Sequence, residues 1–342
     1  MDKGDGRGRA GLRDVARLAG VGVATVDRVL NERGNVSPAT ARRVIEAARG
    51  LDLRRVLPRP YARGVRLEVL LARPDAPFLA RLGQAFAGVA ATLDRSVTVQ
   101  RTSLRDAEPA RVAERLSASR ADGVILYGED RPEIAAAIAG LAAAGRPVVS
   151  MVTDVPGSGR VAYVGIDNAR AGRTAGFLAA RLARRPGPAL VLTNSLGFRA
   201  HAERVTGFRE GLANEAPERP VAAVLQGRDE EDLSARLVSR ALADHPDIAA
   251  VYNTGGAVAA VAAAIRRRRP AGDVVHIGHE LNAETAASLR EGVLTVAIDQ
   301  AFELQARRAV EVLLRHLGQL DGAASPTGPT EVPFTLHTRE NA

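Results

Sequence analysis

The sequence predicts two folds in one chain: an all-α helix-turn-helix headpiece, then an α/β core of two doubly wound parallel-sheet lobes. Three observations predict it. Residues 12–51 space their apolar side chains helically around a glycine. Ten short β-rich runs then alternate with helix-length segments, the pattern of parallel sheets. A basic surplus is confined to the first 66 residues, where 15 Lys and Arg face 7 Asp and Glu, while the remaining 276 balance 32 against 32.

Residues 1–10, MDKGDGRGRA, contain no apolar core and are expected to be disordered. The headpiece follows at 11–56. Leu12, Val15, Ala16 and Ala19 lie at helical spacing, and Gly20 supplies a turn residue free of β-carbon strain. Val26, Val29 and Leu30 form the buried face of a second helix, which leaves Val23, Ala24, Asp27 and Arg28 pointing outward. Ser37 before Pro38 signals a third helix, because a serine oxygen caps free amides and proline suits the first helical position. Gly50 is its expected stop. Three short helices around a tight turn carry one helix into a DNA major groove, so double-stranded DNA is the expected partner. The charge agrees, since a basic module on a neutral body neutralises phosphates at one end. An Arg- and Ala-rich codon bias is the competing source of that basicity.

Residues 57–65, LPRPYARGV, link headpiece to core. Pro58 and Pro60 lack amide donors and disfavour helix before them, so no ordinary helix is expected here. The plain reading is an extended basic linker in which Arg54, Arg55, Arg59 and Arg63 touch phosphates.

The core occupies 66–342. Its runs LEVLLA, VTVQRTS, GVILYG, PVVSMV and VAYVGI predict five strands, and ALVLTN, VAAVLQ, IAAVYN, VVHIGH and LTVAID five more. About 276 residues exceed the size at which a single core keeps growing, so two lobes are expected. The division falls near Gly165, with further crossings near Asp299 and at Gly322 to Thr330. The first lobe is then about 66–165 and 299–322, the second about 166–298 and 323–342, ending in the strand VPFTLH. Ligands of open parallel sheets bind beyond the carboxyl ends of the strands, so a cleft between the lobes is the expected site.

At the amino terminus, DVARLAGVGVATVDRVLN followed by VSPATARRVIEAARGL resembles the headpiece of the lactose-repressor/galactose-repressor (LacI/GalR) family of bacterial regulators. The core resembles the type I periplasmic sugar-binding-protein fold that the family carries. The resemblance implies a cytoplasmic homodimeric transcriptional repressor that reads a roughly palindromic operator, released when a sugar or polyol effector closes the lobes. Carried over by position, Val23 and Ala24 face base edges with Arg28 further along, and Thr25 and Asn31 contact the DNA backbone. Asp27 departs from the family's serine; its carboxylate repels phosphates unless it pairs with Arg28 or accepts from a cytosine amine. Leu57 stands where the family's hinge leucine wedges into the minor groove, although the two prolines depart from the usual hinge.

For the effector, the resemblance nominates Phe78 as the ring stacking on a sugar, Asp75 and Asp154 as hydroxyl acceptors, Arg204 as a clamp, then Asn253, Glu280 and Gln300. Such carboxylates, amides and guanidinium suit adjacent hydroxyls. Each also has a plainer role: Asp154 and Glu280 as turn or cap residues, Phe78 as core. Thr254 replaces an acidic residue common among sugar-binding relatives.

Other signals exclude more than they identify. His276, His279 and Glu280 in HIGHE lie at a strand end, not on the helical turn a metalloprotease motif needs, so no metal is expected. Arg266 to Arg269 end a helix before Pro270 and read as solvated surface. Absence of cysteine excludes disulfides and thiolate catalysis. No run approaches the about 18 to 20 apolar residues of a membrane span, so no membrane partner is expected. No cofactor and no catalytic residue are expected, hydroxyl binding being enough to explain Asp154 and Glu280. The competing readings are a binding protein whose headpiece has lost operator specificity and an enzyme acting on a sugar in the cleft.

Overall fold

The computed structural model describes residues 11–31, 33, 36–51, 64–72, 77–94, 96–104, 108–320 and 329–342. The expected disordered start, the hinge through Arg63 with its Leu57 wedge, and Asp75 lie outside the described residues. The chain divides into two compact units, one ending at Val65 and including 94–98, the other comprising the rest.

The first unit contains α1 (Leu12–Ala19), α2 (Val23–Leu30) and α3 (Pro38–Gly50). Gly20 adopts φ +64, the left-handed conformation that ends α1 and turns the chain into α2. Val15, Ala16, Val26, Val29, Val44 and Ile45 form a core with almost no exposed surface. The Ser37 hydroxyl accepts from the Thr40 amide at 3.3 Å, capping α3 as expected.

The second unit holds two sheets. The first comprises β1 (Val65–Ala72), β2 (Val97–Leu104), β3 (Gly123–Leu126), β4 (Val148–Met151) and β5 (Ala162–Gly165), with α4 (Pro77–Thr92), α5 (Pro109–Ser117) and α6 (Pro132–Ala143) between them. After α7 (Asn168–Leu182), the second sheet follows as β6 (Ala189–Thr193), β7 (Val221–Gln226), β8 (Ala250–Asn253), β9 (Val275–His279) and β10 (Val296–Asp299). It is wound through α8 (Arg199–Glu215), α9 (Glu231–Asp244), α10 (Val258–Arg268) and α11 (Ala283–Arg290). Then come α12 (Phe302–His316), β11 (Pro329–Glu331) and β12 (Thr335–His337). The strand orders are β11-β5-β4-β3-β1-β2 and β12-β10-β9-β8-β6-β7.

Each order reverses once, at β1/β3 in the first sheet and at β6/β8 in the second. Loops leaving adjacent strands there diverge, which opens a crevice at the carboxyl ends. The chain crosses between lobes after β5, after β10 and after β11. The last crossing differs from expectation: Pro329–Glu331 pair in parallel with β5, so the return to the second lobe follows residue 331 rather than 322, and β12 pairs antiparallel with β10. A three-residue strand read as loop in the sequence because its Pro, Thr and Glu carry no apolar pattern.

Helices α7 and α8 cross almost in backbone contact. A methyl at Gly172 would lie 2.3 Å from the Arg204 carbonyl oxygen, and one at Gly207 2.1 Å from that of Ala169. Only glycine permits this approach, and it brings the amino-terminal halves of both helices together at the cleft.

Candidate functional site

In the headpiece, Val23, Ala24 and Arg28 are exposed on one face of α2, whereas Thr25, Asp27 and Asn31 are half-buried. The partner of Asp27 differs from expectation. Its carboxylate accepts from Asn31 Nδ2 at 2.6 Å and Arg33 Nη1 at 3.0 Å, leaving Arg28 outward. Arg28 is one residue along the helix, about 100° away, whereas Arg33 folds back from beyond its end.

A cavity partly open to solvent lies between the lobes of the core. The first lobe contributes Phe78 at the start of α4, Tyr127 after β3 and Thr153 after β4; the second contributes Phe198, His201 and Arg204 of the α8 region. Asp229, His279, Glu280 and Gln300 complete its polar wall, beyond β7, β9 and β10.

Four buried polar residues form a chain through that wall. Arg204 Nε donates to Asn168 Oδ1 at 2.8 Å, its Nη1 to the Thr254 carbonyl oxygen at 2.7 Å and its Nη2 to Gln300 Oε1 at 2.7 Å. Gln300 Nε2 donates in turn to Glu280 Oε1. Three of the five guanidinium N–H groups are thus used, and the Arg204 side chain is held on three sides.

Glu280 adopts φ +69, rare for a residue with a β-carbon, which fixes where its side chain enters. Burial and then the charge of Asp299 push its carboxyl up to about 8. His201 Nδ1 lies 2.9 Å from Thr254 Oγ1, and burial followed by the Arg204 charge push its pKa down to about 3, so the ring is neutral. His279 Nε2 lies 2.9 Å from the Tyr252 hydroxyl, and burial likewise lowers its pKa.

Aromatic rings and hydrogen bonds join the lobes around this wall. Tyr127 and Phe198 stack with centroids 5.0 Å apart and planes 13° apart, and Phe78 lies 5.6 Å from Tyr127. The Ala200 amide donates to Thr153 Oγ1 at 3.1 Å and the Asp130 amide to the Gly197 carbonyl oxygen at 3.1 Å. Val152, Ala257 and Ala301 take positive φ beside Glu280 in the loops between strands and helices. Such conformations cluster where function constrains the backbone.

Of the nominated effector residues, Phe78, Arg204, Glu280 and Gln300 meet at the cavity. Asp154 does not: its carboxylate accepts from Arg160 through two nitrogens and from Ser150 Oγ at 2.7 Å and the Val155 amide at 2.8 Å. Arg160, six residues on, saturates the oxygens that a hydroxyl would need. Asn253 likewise turns into its own loop, donating to the Gly256 carbonyl oxygen and accepting from the Gly255 amide. Sequence reasoning passed over Tyr127, Phe198, His201 and Asp229. Their shared signal was position immediately beyond a strand end or at a helix start.

Among the described residues, no three His, Asp or Glu gather as a metal-ligand set, and no helix is long and apolar enough to cross a membrane.

Residues 11–55 match the family of bacterial regulatory proteins named for lacI, and residues 67–321 match the periplasmic binding protein domain. The chain is 29% identical over 346 residues to the HTH-type transcriptional regulator CelR of Thermobifida fusca, covering 96% of each chain. It is 34% identical over 128 residues to the sucrose operon repressor of Escherichia coli, covering 34% of this chain and 37% of that protein. In fold, the core resembles GanP, a glucose-galactose binding protein from Geobacillus stearothermophilus, with TM-score 0.72 and 24% identity over 81% of this chain and 98% of that one. A solute binding protein from Burkholderia graminis in complex with D-arabinose gives TM-score 0.73 at 20% identity, covering 82% and 97%.

Proposed function

Because this chain belongs to the LacI/GalR regulators, joining a lacI-type headpiece to a periplasmic-binding-protein domain, we propose that it is a sugar-responsive transcriptional repressor. The observation that carries this reading is the buried chain Asn168–Arg204–Gln300–Glu280, which faces a cavity between two lobes in a protein that begins with a helix-turn-helix. A guanidinium, an adjacent carboxyl and an aromatic ring from the opposite lobe suit a neutral sugar or polyol.

In this reading the protein is a cytoplasmic homodimer whose two α2 helices occupy successive major grooves of a palindromic operator. Val23, Ala24 and Arg28 reach base edges, Thr25 and Asn31 the sugar-phosphate backbone. Asp27, neutralised by Arg33, orients Asn31 without repelling the phosphates strongly. The effector lies against Phe78, Arg204, Glu280 and Gln300. It releases the operator because it prefers one lobe arrangement, and couplings of about 1–3 kcal/mol are ordinary for such linkage. The polar groups hold hydroxyls and perform no chemistry on them.

Selection of genomic fragments bound by the full chain, followed by titration of the complex with D-ribose, D-arabinose, D-glucose, D-galactose and sucrose, tests this. Enrichment of a palindrome and its release by one of these sugars is the expected result. Failure to enrich any sequence, or turnover of a sugar, overturns it.

A further inference from the structure

The wall of the cavity contains a histidine with one ring nitrogen that has no hydrogen-bond partner among the described residues. His279 ends β9, is 1% exposed and lines the cavity beside Glu280. Its Nε2 faces the Tyr252 hydroxyl at 2.9 Å, while Nδ1 is buried with no hydrogen-bond partner among the described residues.

The Tyr252 pair decides which nitrogen holds the proton. Burial raises the Tyr252 phenol's pKa, so the hydroxyl keeps its hydrogen, and among the described residues its hydrogen-bond partner is His279. If the hydroxyl donates to Nε2, the neutral ring carries its proton on Nδ1 and one atom is left unpaired. If Nε2–H donated instead, both the phenol hydrogen and Nδ1 would be left unpaired. The first arrangement satisfies more groups, and buried polar groups are rarely left unmade without a reason. Burial, then the charge on Arg204, lowers the ring's pKa, so the donor is a neutral imidazole with one N–H. Tyr252 is itself immobilised, stacked on Phe208 with centroids 4.9 Å apart.

We propose that His279 is a specificity-determining contact of the effector site, its Nδ1–H, oriented by Tyr252, donating to a hydroxyl oxygen of a neutral polyhydroxylated ligand. The assignment rests on the sugar-effector reading above. The Asp229 carboxylate stands at the same cavity, so an uncharged oxygen fits there better than a carboxylate or phosphate. Arg204 and His279 then both supply donors at the cavity that Glu280 also lines.

The test pairs ligand and protein changes in the full chain. The tightest-binding sugar among D-ribose, D-arabinose, D-glucose, D-galactose and sucrose is compared with its monodeoxy analogues on wild type and on His279→Phe, which keeps an aromatic ring beside Tyr252. Removing one hydroxyl is expected to weaken wild-type binding at least about fivefold but to cost the variant less than about twofold at that position, since the unmade bond is then absent from both sides. Equal losses in wild type and variant at every position overturn the assignment.

A second measurement reads the wild type directly. Nitrogen-15 spectra of the six histidines are expected to show His279 of the wild type as the Nδ1–H tautomer, and Tyr252→Phe to mix the two tautomers. An Nε2–H ring in the wild type overturns the proposal whatever the sugars do. If the wild type binds none of the five sugars, the effector reading fails and the assignment falls with it, a result separable from a sugar that binds without using His279.

Discussion

Arg81 Nη1 donates to the carbonyl oxygen of Leu281 at 2.7 Å, fastening the first turns of α4 in one lobe to the loop after β9 in the other. The same guanidinium lies 3.4 Å from Asp299 Oδ2 and 3.8 Å from Glu280 Oε2, and 5.1 Å over the ring of Phe302. Phe78, one helical turn earlier, reaches into the cavity. One rigid turn therefore carries both a ring that lines the cavity and an inter-lobe fastener.

Arg81→Ala should open the lobes and weaken effector binding. The side chain is 27% exposed, which screens its charge, so about 1 kcal/mol or a fivefold loss is the expected scale. The chain has no cysteine, so Glu133→Cys and Glu231→Cys accept fluorophores cleanly. Their separation should increase in the effector-free variant; an unchanged distance would show that other contacts hold the closed form.

Arg204→Ala should abolish the sugar response while leaving operator affinity nearly intact. It removes the guanidinium donors at the cavity, a cost of about 3 kcal/mol in binding, or a hundredfold, and separately lowers stability by stranding Asn168 Oδ1, Gln300 Oε1 and the Thr254 carbonyl oxygen in a buried wall. Calorimetric titration of the sugar alongside a gel-shift assay of the operator separates the two effects.

Arg28→Ala should do the reverse, costing about 1–3 kcal/mol of operator binding if the exposed guanidinium reads a base, with sugar affinity preserved. Retained specific binding would mean that α2 is not the reading helix.

Gly207→Ala should destabilise the core by about 1–3 kcal/mol or more, because its methyl would enter the Ala169 carbonyl oxygen at 2.1 Å. Gly140→Ala in α6, with nothing within 4 Å, should instead stabilise by up to about 1 kcal/mol through helix propensity. Thermal melts of the pair should move in opposite directions.

Stability should peak near pH 6.5. His201 and His276 fall from 6.5 to about 3 on folding, so the unfolded chain binds their protons first and stability is lost as pH falls below 6.5 toward 3. Glu280 rises from 4.5 to about 8, so the folded chain binds its proton more tightly and stability is lost as pH rises from 4.5 through 8. Between 4.5 and 6.5 these histidines, with His279 lowered likewise, outweigh the Glu280 carboxyl; above 6.5 the loss from Glu280 dominates. Glu280→Gln should flatten the alkaline side and leave the acid side, as denaturant melts across this range would record.

Much of this architecture was legible from local pattern. Leu12, Val15 and Ala19 mark one helix face by spacing alone, and GVILYG or IAAVYN mark strands because parallel strands buried on both sides read as apolar runs. Glu68 hid inside such a run: it is 4% exposed in LEVLLA, satisfied by Arg115, Thr102 and Ser119 from 34 to 51 residues away. Nothing at its own position announced those partners.

The sequence by itself determined the helix-turn-helix, the alternation of strands and helices, the confinement of positive charge to one end and the four cavity residues Phe78, Arg204, Glu280 and Gln300. The first three follow from periodicity, turn chemistry and composition, which act over a few residues, and the cavity residues from the resemblance to the LacI/GalR family. Tertiary structure alone decided that Asp154 is claimed by Arg160 and Asn253 by its own loop, that Pro329–Glu331 return to the first sheet, and that Tyr127 meets Phe198. The reason is physical: a polar side chain binds whichever partner the fold brings within about 3 Å, and that choice depends on residues far away in the chain.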